Sequence, residues 1–409
     1  NKEVSMKILQ INATNKVGST GRNTFEMSEQ LRKLGEESIV ACSIPSGYEG
    51  EYIIGNSMDH KIHAILSRIT GLQAYFSTKS TKKLIGFIET EKPDVVCIGN
   101  VHSNYVNIPL LFSYLAKKDI PTVIVLHDGW FYTGHCFHYT LQECEKWKSG
   151  CYDCPQIHGC NASWLFDTSK KVWNDKKRLM EQMPRLAVVG VSEWITGEAR
   201  QSILGSAKII QRIYNWIDFS KFYPRSEEVT SKVRREYHME DKFVILGVAT
   251  EWDKGKGIDR FIELAGLLED DMRILLVGKM PKEVVLPTNI ISISHTNDVN
   301  QLAELYSATD VFVSLSFEET FGKVSAEALS CGTPVICYNT TANPELVGEK
   351  CGVVVDDCTV ESVMRAVRTV RENGKDYYSG ACISYARDNF DMEKNIEEYR
   401  KLFRDLVEM

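Results

Sequence analysis

Residues Val311–Tyr338 read VFVSLSFEETFGKVSAEALSCGTPVICY. The stretch parses as strand, loop, helix, turn, strand. Val311–Leu315 and Val335–Tyr338 are short, β-branched runs without alternation, as in parallel strands covered on both faces. Gly322 stands at the loop-to-helix junction, and Gly332 lies just past the helix, a usual C-terminal stop. If Lys323 opens the helix, Glu319 lies in the loop and Glu327 about one turn inside. Backbone N–H groups at such a start attract an anion such as a diphosphate. A carboxylate there is suited to accepting hydrogen bonds from sugar hydroxyls. Two solvated acids at a helix N-terminus explain the same spacing without any ligand.

The same kind of strand recurs on both sides. Ile8–Ile11, Val95–Ile98, Val123–Leu126 and Leu186–Val191 form one set; Phe243–Val248, Ile274–Val277, Ile290–Ile293 and Val353–Val355 join the opening stretch in another. Helical patterns between them supply right-handed crossovers. The pattern predicts an α/β protein of two Rossmann-like, doubly wound domains facing a central cleft, with ligands beyond the carboxyl ends of the strands. We expect an acceptor-side domain over 6–219, carrying a cysteine-rich insertion at about 134–162. Residues 220–242 are polar and charged and read as a linker; residues 243–388 read as the second domain. In residues 389–409, Ile396, Tyr399, Leu402, Phe403 and Leu406 share one helical face, expected to pack back toward the first domain.

Of 409 residues, 43% are hydrophobic and 25% charged, which argues against a disordered chain. The net charge of −7 gives no nucleic-acid footprint. No apolar run approaches the ~20 residues of a membrane-spanning helix. Met6 reads as the natural start, and Met6–Ala13 as a strand, not a secretory signal. Twelve cysteines then sit in a reducing cytosol.

The run Glu319-Thr-Phe-Gly, Glu327-Ala-Leu and Cys331-Gly-Thr-Pro-Val resembles the E-x7-E signature of retaining GT-B glycosyltransferases, more narrowly glycosyltransferase family four. Tyr214-Asn-Trp-Ile-Asp218 is similar to the family's P-N-G-I-D junction, departing at Tyr214 and Trp216. Leu126-His-Asp-Gly-Trp130, with Cys136 and Cys154-Pro155, resembles the bacterial capsule and exopolysaccharide branch. The resemblance spans nearly the whole chain, most firmly residues 95–160 and 243–350.

The resemblance implies that Glu319 contacts the donor sugar near its reacting carbon and that Glu327 binds the ribose hydroxyls. Phe321, Gly322, Lys323 and Val324 would carry the backbone that approaches sugar and diphosphate. An Arg and a Lys are expected in Ala249–Gly257 to neutralise the departing diphosphate. Lys256 fits the Lys. Glu251 stands at the Arg position, where Lys254 could substitute as a point charge. The loop Asn12–Arg22 is implied to face the donor, with Gly18 allowing close backbone approach and Arg22 reaching phosphate or acceptor. It lacks a G-x-G-x-x-G dinucleotide fingerprint. His127, at a strand's carboxyl end, would lie beside the transferred sugar. Asp128 reads either as an acceptor-side group or as a turn residue, and His102 and Asn104 as acceptor-side residues.

Cys136, Cys144, Cys151 and Cys154 cluster, with Cys160, His135, His138 and His158 nearby. A C-x2-C pair with two further thiols can hold a structural zinc, though the first two spacings are not those of a zinc finger. Structural zinc and reduced or disulfide-linked cysteines both stay open. The insertion reads as a loop that needs a staple because it lacks a core. Catalytic zinc is not expected, since transfer of this type relies on protein cations. No D-x-D motif is present; Glu251-Trp-Asp253 is a loose imitation. Residues His60–Lys83 place Lys61, Arg68, Lys79, Lys82 and Lys83 among aliphatic residues. They suit an anionic membrane surface or an ordinary surface helix equally.

The expected activity is retaining, metal-independent hexosyl transfer from a nucleoside-diphosphate sugar to a saccharide acceptor, lipid-linked, in bacterial surface polysaccharide synthesis. It would take place in the cytoplasm, or peripherally at the inner face of the cytoplasmic membrane. The nucleotide sugar is substrate, and no catalytic cofactor is expected. Rival readings are a nucleotide-sugar epimerase or hydrolase, which would turn over donor without acceptor, and a non-catalytic nucleotide-sugar-binding protein.

Overall fold

The computed structural model describes residues 4–159, 161–294, 296 and 298–409; the reading made on Cys160 lies outside the described residues. The chain forms two units, one of residues up to Ile213 together with Glu393–Met409, the other Tyr214–Met392.

Among the described residues the first unit holds seven strands: β1 (Lys7–Thr14), β2 (Glu37–Ile44), β3 (Tyr52–Ile53), β4 (Val95–Ile98), β5 (Thr122–Leu126), β6 (Leu186–Gly190) and β7 (Ile209–Arg212). Their order is β3-β2-β1-β4-β5-β6-β7, and every pairing is parallel. Strands β4, β5 and β6 are buried throughout, as the uninterrupted Val and Ile runs require of a sheet covered on both faces. The order reverses between β1 and β4, so the loops after these strands diverge and leave a crevice at their carboxyl ends. The sequence reading did not place β2, β3 and β7. Ser38 and Ser43 dilute the apolar run of β2, β3 has two residues, and β7 is nowhere fully buried.

The second unit has β8 (Phe243–Glu251), β9 (Met272–Lys279), β10 (Ile290–Ile293), β11 (Val311–Ser314), β12 (Val335–Tyr338) and β13 (Gly352–Val355). The order is β10-β9-β8-β11-β12-β13, again all parallel, with the reversal between β8 and β11. The opening stretch thus supplies β11, the helix Lys323–Ser330 and β12.

Residues 220–242, expected as a linker, contain the helix Glu227–Glu236 and belong to the second unit. Arg234 fixes that helix, donating to the carbonyls of Ala308, Met239 and Lys242 and pairing with Asp310 at 2.8 Å. The basic stretch 60–83 is two helices, Ser57–Thr70 and Thr78–Glu91, because Gly71 takes a left-handed conformation and ends the first.

The helix Met392–Glu408 buries Ile396, Tyr399, Leu402, Phe403 and Leu406, and its residues from Glu393 on fall in the first unit. Its Arg400 and Arg404 reach Oε1 of Glu36 at 2.7 and 2.9 Å, while Oε2 accepts from the Met6 N–H. Burial alone would raise the Glu36 carboxyl, but these donors hold it below its ordinary value. Among the described residues no helix is long and apolar enough to cross a membrane.

Candidate active site

The second unit's switch point gathers two loops. After β8 the chain runs through Asp253 and Lys256 to Gly257, which opens the helix Ile258–Ala265. Gly257 has φ +81°, and a Cβ there would meet the Cβ and carbonyl oxygen of Leu315 at 2.7 Å. Only glycine lets the β8 loop lie this close to the segment leaving β11. Oδ1 of Asp253 accepts from the Lys256 N–H at 2.8 Å and shapes the turn.

Opposite, Glu319 donates its N–H to Oγ1 of Thr341 at 3.0 Å, and its carbonyl accepts from Ala342. Asn343 is buried and donates to the Ser316 carbonyl at 2.9 Å. The segment 339–343 therefore acts as a brace under the Glu319 loop. Sequence reasoning missed it, since only fold places residues 22–27 positions downstream beside the loop.

The two loops bring Nζ of Lys256 to 2.6 Å from Oε1 of Glu319. The side chains are 42% and 16% exposed, so the pair faces solvent from one side. Burial alone would lower the Lys256 amine; the Glu319 carboxylate outweighs it and holds the amine above its ordinary value. The cation is thus secure at neutral pH. Gly322, φ +86°, starts the helix Lys323–Ser330, and a Cβ there would meet Leu346 at 2.8 Å. Lys323 and Val324 are half-buried in its first turn.

Two expected donor residues sit deeper. Phe321 is buried, its ring 6.0 Å from that of Tyr214 and 5.3 Å from that of Phe390. Tyr214, a departure from the family junction, thereby serves the core, and Trp216 is also buried. Glu327 is 4% exposed, and Oη of Tyr306 donates to its Oε2 at 3.1 Å. Tyr306 was not legible as a site neighbour, because it lies 21 residues upstream on another helix.

Glu251 ends β8 in register with Lys279 of β9, and the two bond at 2.6 Å in solvent. The acid at the expected Arg position is thus neutralised by its cross-strand neighbour. Lys254 is exposed on the loop.

In the first unit the switch point lies between β1 and β4. Gly18, φ +71°, begins the helix Gly18–Lys33 with open space around it, and Arg22 is half-buried one turn on. His127 follows β5 and is half-buried. His102, beyond β4, bonds through Nε2 to Oδ2 of Asp128 at 2.9 Å, while Oδ1 accepts from the Trp130 N–H at 2.9 Å. Burial would raise the Asp128 carboxyl, but His102 and the Trp130 amide hold it below its ordinary value. Asn104, left-handed at φ 60°, lines a separate groove of about 640 Å³ with Ile44, Ile53 and Lys61.

The cysteine-rich insertion corrects its sequence reading. It has a core: the rings of Tyr132, Tyr139 and Trp147 lie 5.1–6.1 Å apart and are buried. Cys136, Cys144, Cys151 and Cys154 line a small space of about 20 Å³ against that core. Cys136 and Cys154 hydrogen-bond to one another, and Cys151 accepts from the Gly134 N–H. Among the described residues no three His, Cys, Asp or Glu are arranged to hold a metal. Lys176 closes the insertion from below. It is fully buried, donates to the carbonyls of Trp130 and Thr133, and lies 3.4 Å from the Trp130 ring centre. Burial outweighs the attraction of Cys151, Asp128 and Cys136 and pulls its pKa down to about 7.

Residues 20–221 match the family model described as Glycosyltransferase Family 4, and residues 229–388 the model described as Glycosyl transferases group 1. WcaC of Escherichia coli K12, a glycosyl transferase assigned to colanic acid biosynthesis, is 23% identical over 329 residues, covering 78% of each chain. A glycosyltransferase from Rickettsia africae superposes with a TM-score of 0.71 at 16% identity, over 98% of this chain and 99% of that one. Anabaena HepE, solved in complex with UDP and glucose, gives 0.69 at 15% identity over 98% and 100%. Both models match in sequence order, and each unit has the parallel sheet those folds share: the chain belongs to glycosyltransferase family 4 and has a GT-B fold.

Proposed function

We infer that this glycosyltransferase moves a hexose from a nucleoside-diphosphate sugar to a saccharide acceptor with retention of anomeric configuration and without a metal. The Lys256–Glu319 pair at the β8/β11 switch point, beside the start of the helix Lys323–Ser330, carries this reading. A diphosphate there meets a fixed cation and the backbone N–H groups of a helix start. It competes with Glu319 for Lys256 and frees the carboxylate for the sugar hydroxyls. HepE, which binds UDP and glucose, and WcaC support a nucleotide sugar and a surface polysaccharide.

The leaving diphosphate takes the bonding electrons of the anomeric C–O bond, with Lys256 stabilising the charge. The acceptor hydroxyl attacks from the diphosphate's own face and passes its proton to a diphosphate oxygen, which preserves the anomeric configuration. Glu327 takes the ribose and Glu319 the hexose. His127 is assigned to the transferred sugar, and the His102–Asp128 pair to the acceptor. A lipid-linked acceptor places the work at the inner face of the cytoplasmic membrane.

Thermal shifts against UDP, GDP and ADP identify the nucleotide, because a ligand of the native state raises its stability. Incubation of radiolabelled donor with lipid-linked saccharides tests the reaction. Label in the lipid fraction with the donor's anomeric configuration supports the reading. Turnover without acceptor, or binding without turnover, replaces it with a hydrolase or epimerase, or with a binding protein.

A further inference from the structure

The first unit carries an outward face that its own core does not use. On the helix Ser57–Thr70, Met58, Ile62 and Ile65 are 63%, 50% and 52% exposed. With Lys61 and Arg68, also exposed, they lie along about a third of the helix circumference. The loop 164–166 meets the carboxyl end of that helix: the Trp164 N–H donates to the Arg68 carbonyl at 2.5 Å. Trp164, Leu165 and Phe166 are 53%, 68% and 57% exposed.

This loop is built, not slack. Ser163 Oγ donates to the Phe166 carbonyl at 2.6 Å, and Asp167 accepts from the amides of Cys154 and Ser169. The fixed turn leaves a Trp, a Leu and a Phe more than half exposed, with the Arg68 guanidinium 5.9 Å from the Trp164 ring centre. The two adjacent acids are engaged, Asp167 as described and Asp59 with Ser80. Lys79, Lys82 and Lys83 are exposed on the next helix, so the region is basic on a chain of net charge −7.

We propose that this face seats the protein on an anionic lipid bilayer, with Trp164, Leu165, Phe166 and the Met58–Ile65 stripe entering the interfacial zone and Lys61 and Arg68 meeting lipid phosphates. Aromatic and aliphatic side chains flanked by cations are what the headgroup boundary accommodates. Charge decides for lipid over a second copy of this chain, which would bring the same cations against these. The proposal gives the cysteine-rich insertion a task, since its Cys154 N–H donates to Asp167 at the end of the apolar turn. It draws purpose from the lipid-linked acceptor, but its evidence is independent of the donor site.

The test is co-sedimentation of the full chain with vesicles of phosphatidylcholine alone or mixed with phosphatidylglycerol, without donor. Binding is expected only to the anionic vesicles and to fall with salt. Lys61→Glu with Arg68→Glu should weaken it by roughly fivefold or more per cation at low salt. Trp164→Ser, Leu165→Ser and Phe166→Ser together should abolish it, with unchanged melting temperature showing the fold intact. Among the described residues Trp164 is the tryptophan most open to solvent, so Trp164→Phe should bind while losing the vesicle-induced blue shift. No binding to anionic vesicles, or equal binding by the triple serine variant, overturns the proposal. So does a wild-type dimer that the triple variant breaks, which would make the face a protein interface. Nucleotide binding is measured separately, so failure here leaves the donor site standing.

Discussion

Lys256 and Glu319 form the ion pair around which the donor chemistry is drawn, and each has a distinct deletion signature. Lys256→Ala removes the cation that meets the leaving diphosphate. We expect kcat to fall by roughly 10²–10³-fold, the usual cost of losing one preorganised charge, in steady-state transfer assays. Glu327 separates binding from folding. Glu327→Ala should weaken nucleoside diphosphate binding in calorimetry, and by leaving Tyr306 Oη without this acceptor should also destabilise by about 1–3 kcal/mol. Glu327→Gln can still accept from Tyr306, so it should keep the stability and lose the affinity. The acids were legible, because their spacing and the glycine at 322 are local. The His102–Asp128 bond was not: its members lie 26 positions apart and meet only because β4 and β5 are neighbours. That Glu251 turns to Lys279 also depends on register between β8 and β9, which no local pattern displays.

At the scale of elements, Lys176 ties the helix Ser169–Glu181 to the segment after β5. Its two carbonyl acceptors match the two N–H donors of a neutral amine. A lysine with a folded pKa of about 7 and an ordinary value of 10.5 binds its proton more tightly when unfolded. Between those values the unfolded chain holds more protons, so stability should rise as pH rises from 7 toward 10.5. Thermal melts from pH 7 to 9 should show that rise, and Lys176→Met should flatten it while lowering stability throughout. Strands rich in Val and Ile announced themselves, as β5, β6 and β11 show. The helix Glu227–Glu236 did not, since Val233 is its one buried residue and its anchorage comes from Arg234, a charge that reads as solvent-facing in sequence.

At the scale of the molecule, the second unit is inserted between two pieces of the first, and Arg400 and Arg404 complete the surroundings of Glu36. A chain stopped after Asp391 would leave that carboxylate buried without its cations, which costs about 3–5 kcal/mol, and would uncover Ile396's whole binding face. We expect urea unfolding of such a truncation to show the first unit's transition weakened or lost, with the second unit's retained. Adding the missing segment as a free peptide should restore part of it.

The position of those two arginines also sets a timetable for biosynthesis. A ribosome working at about 5–20 residues per second releases β1 to β7 long before the helix that covers them has been made. The nascent first unit must hold its apolar face unshielded while the second is threaded out, so cotranslational chaperone capture should peak over that interval and end when Arg404 emerges.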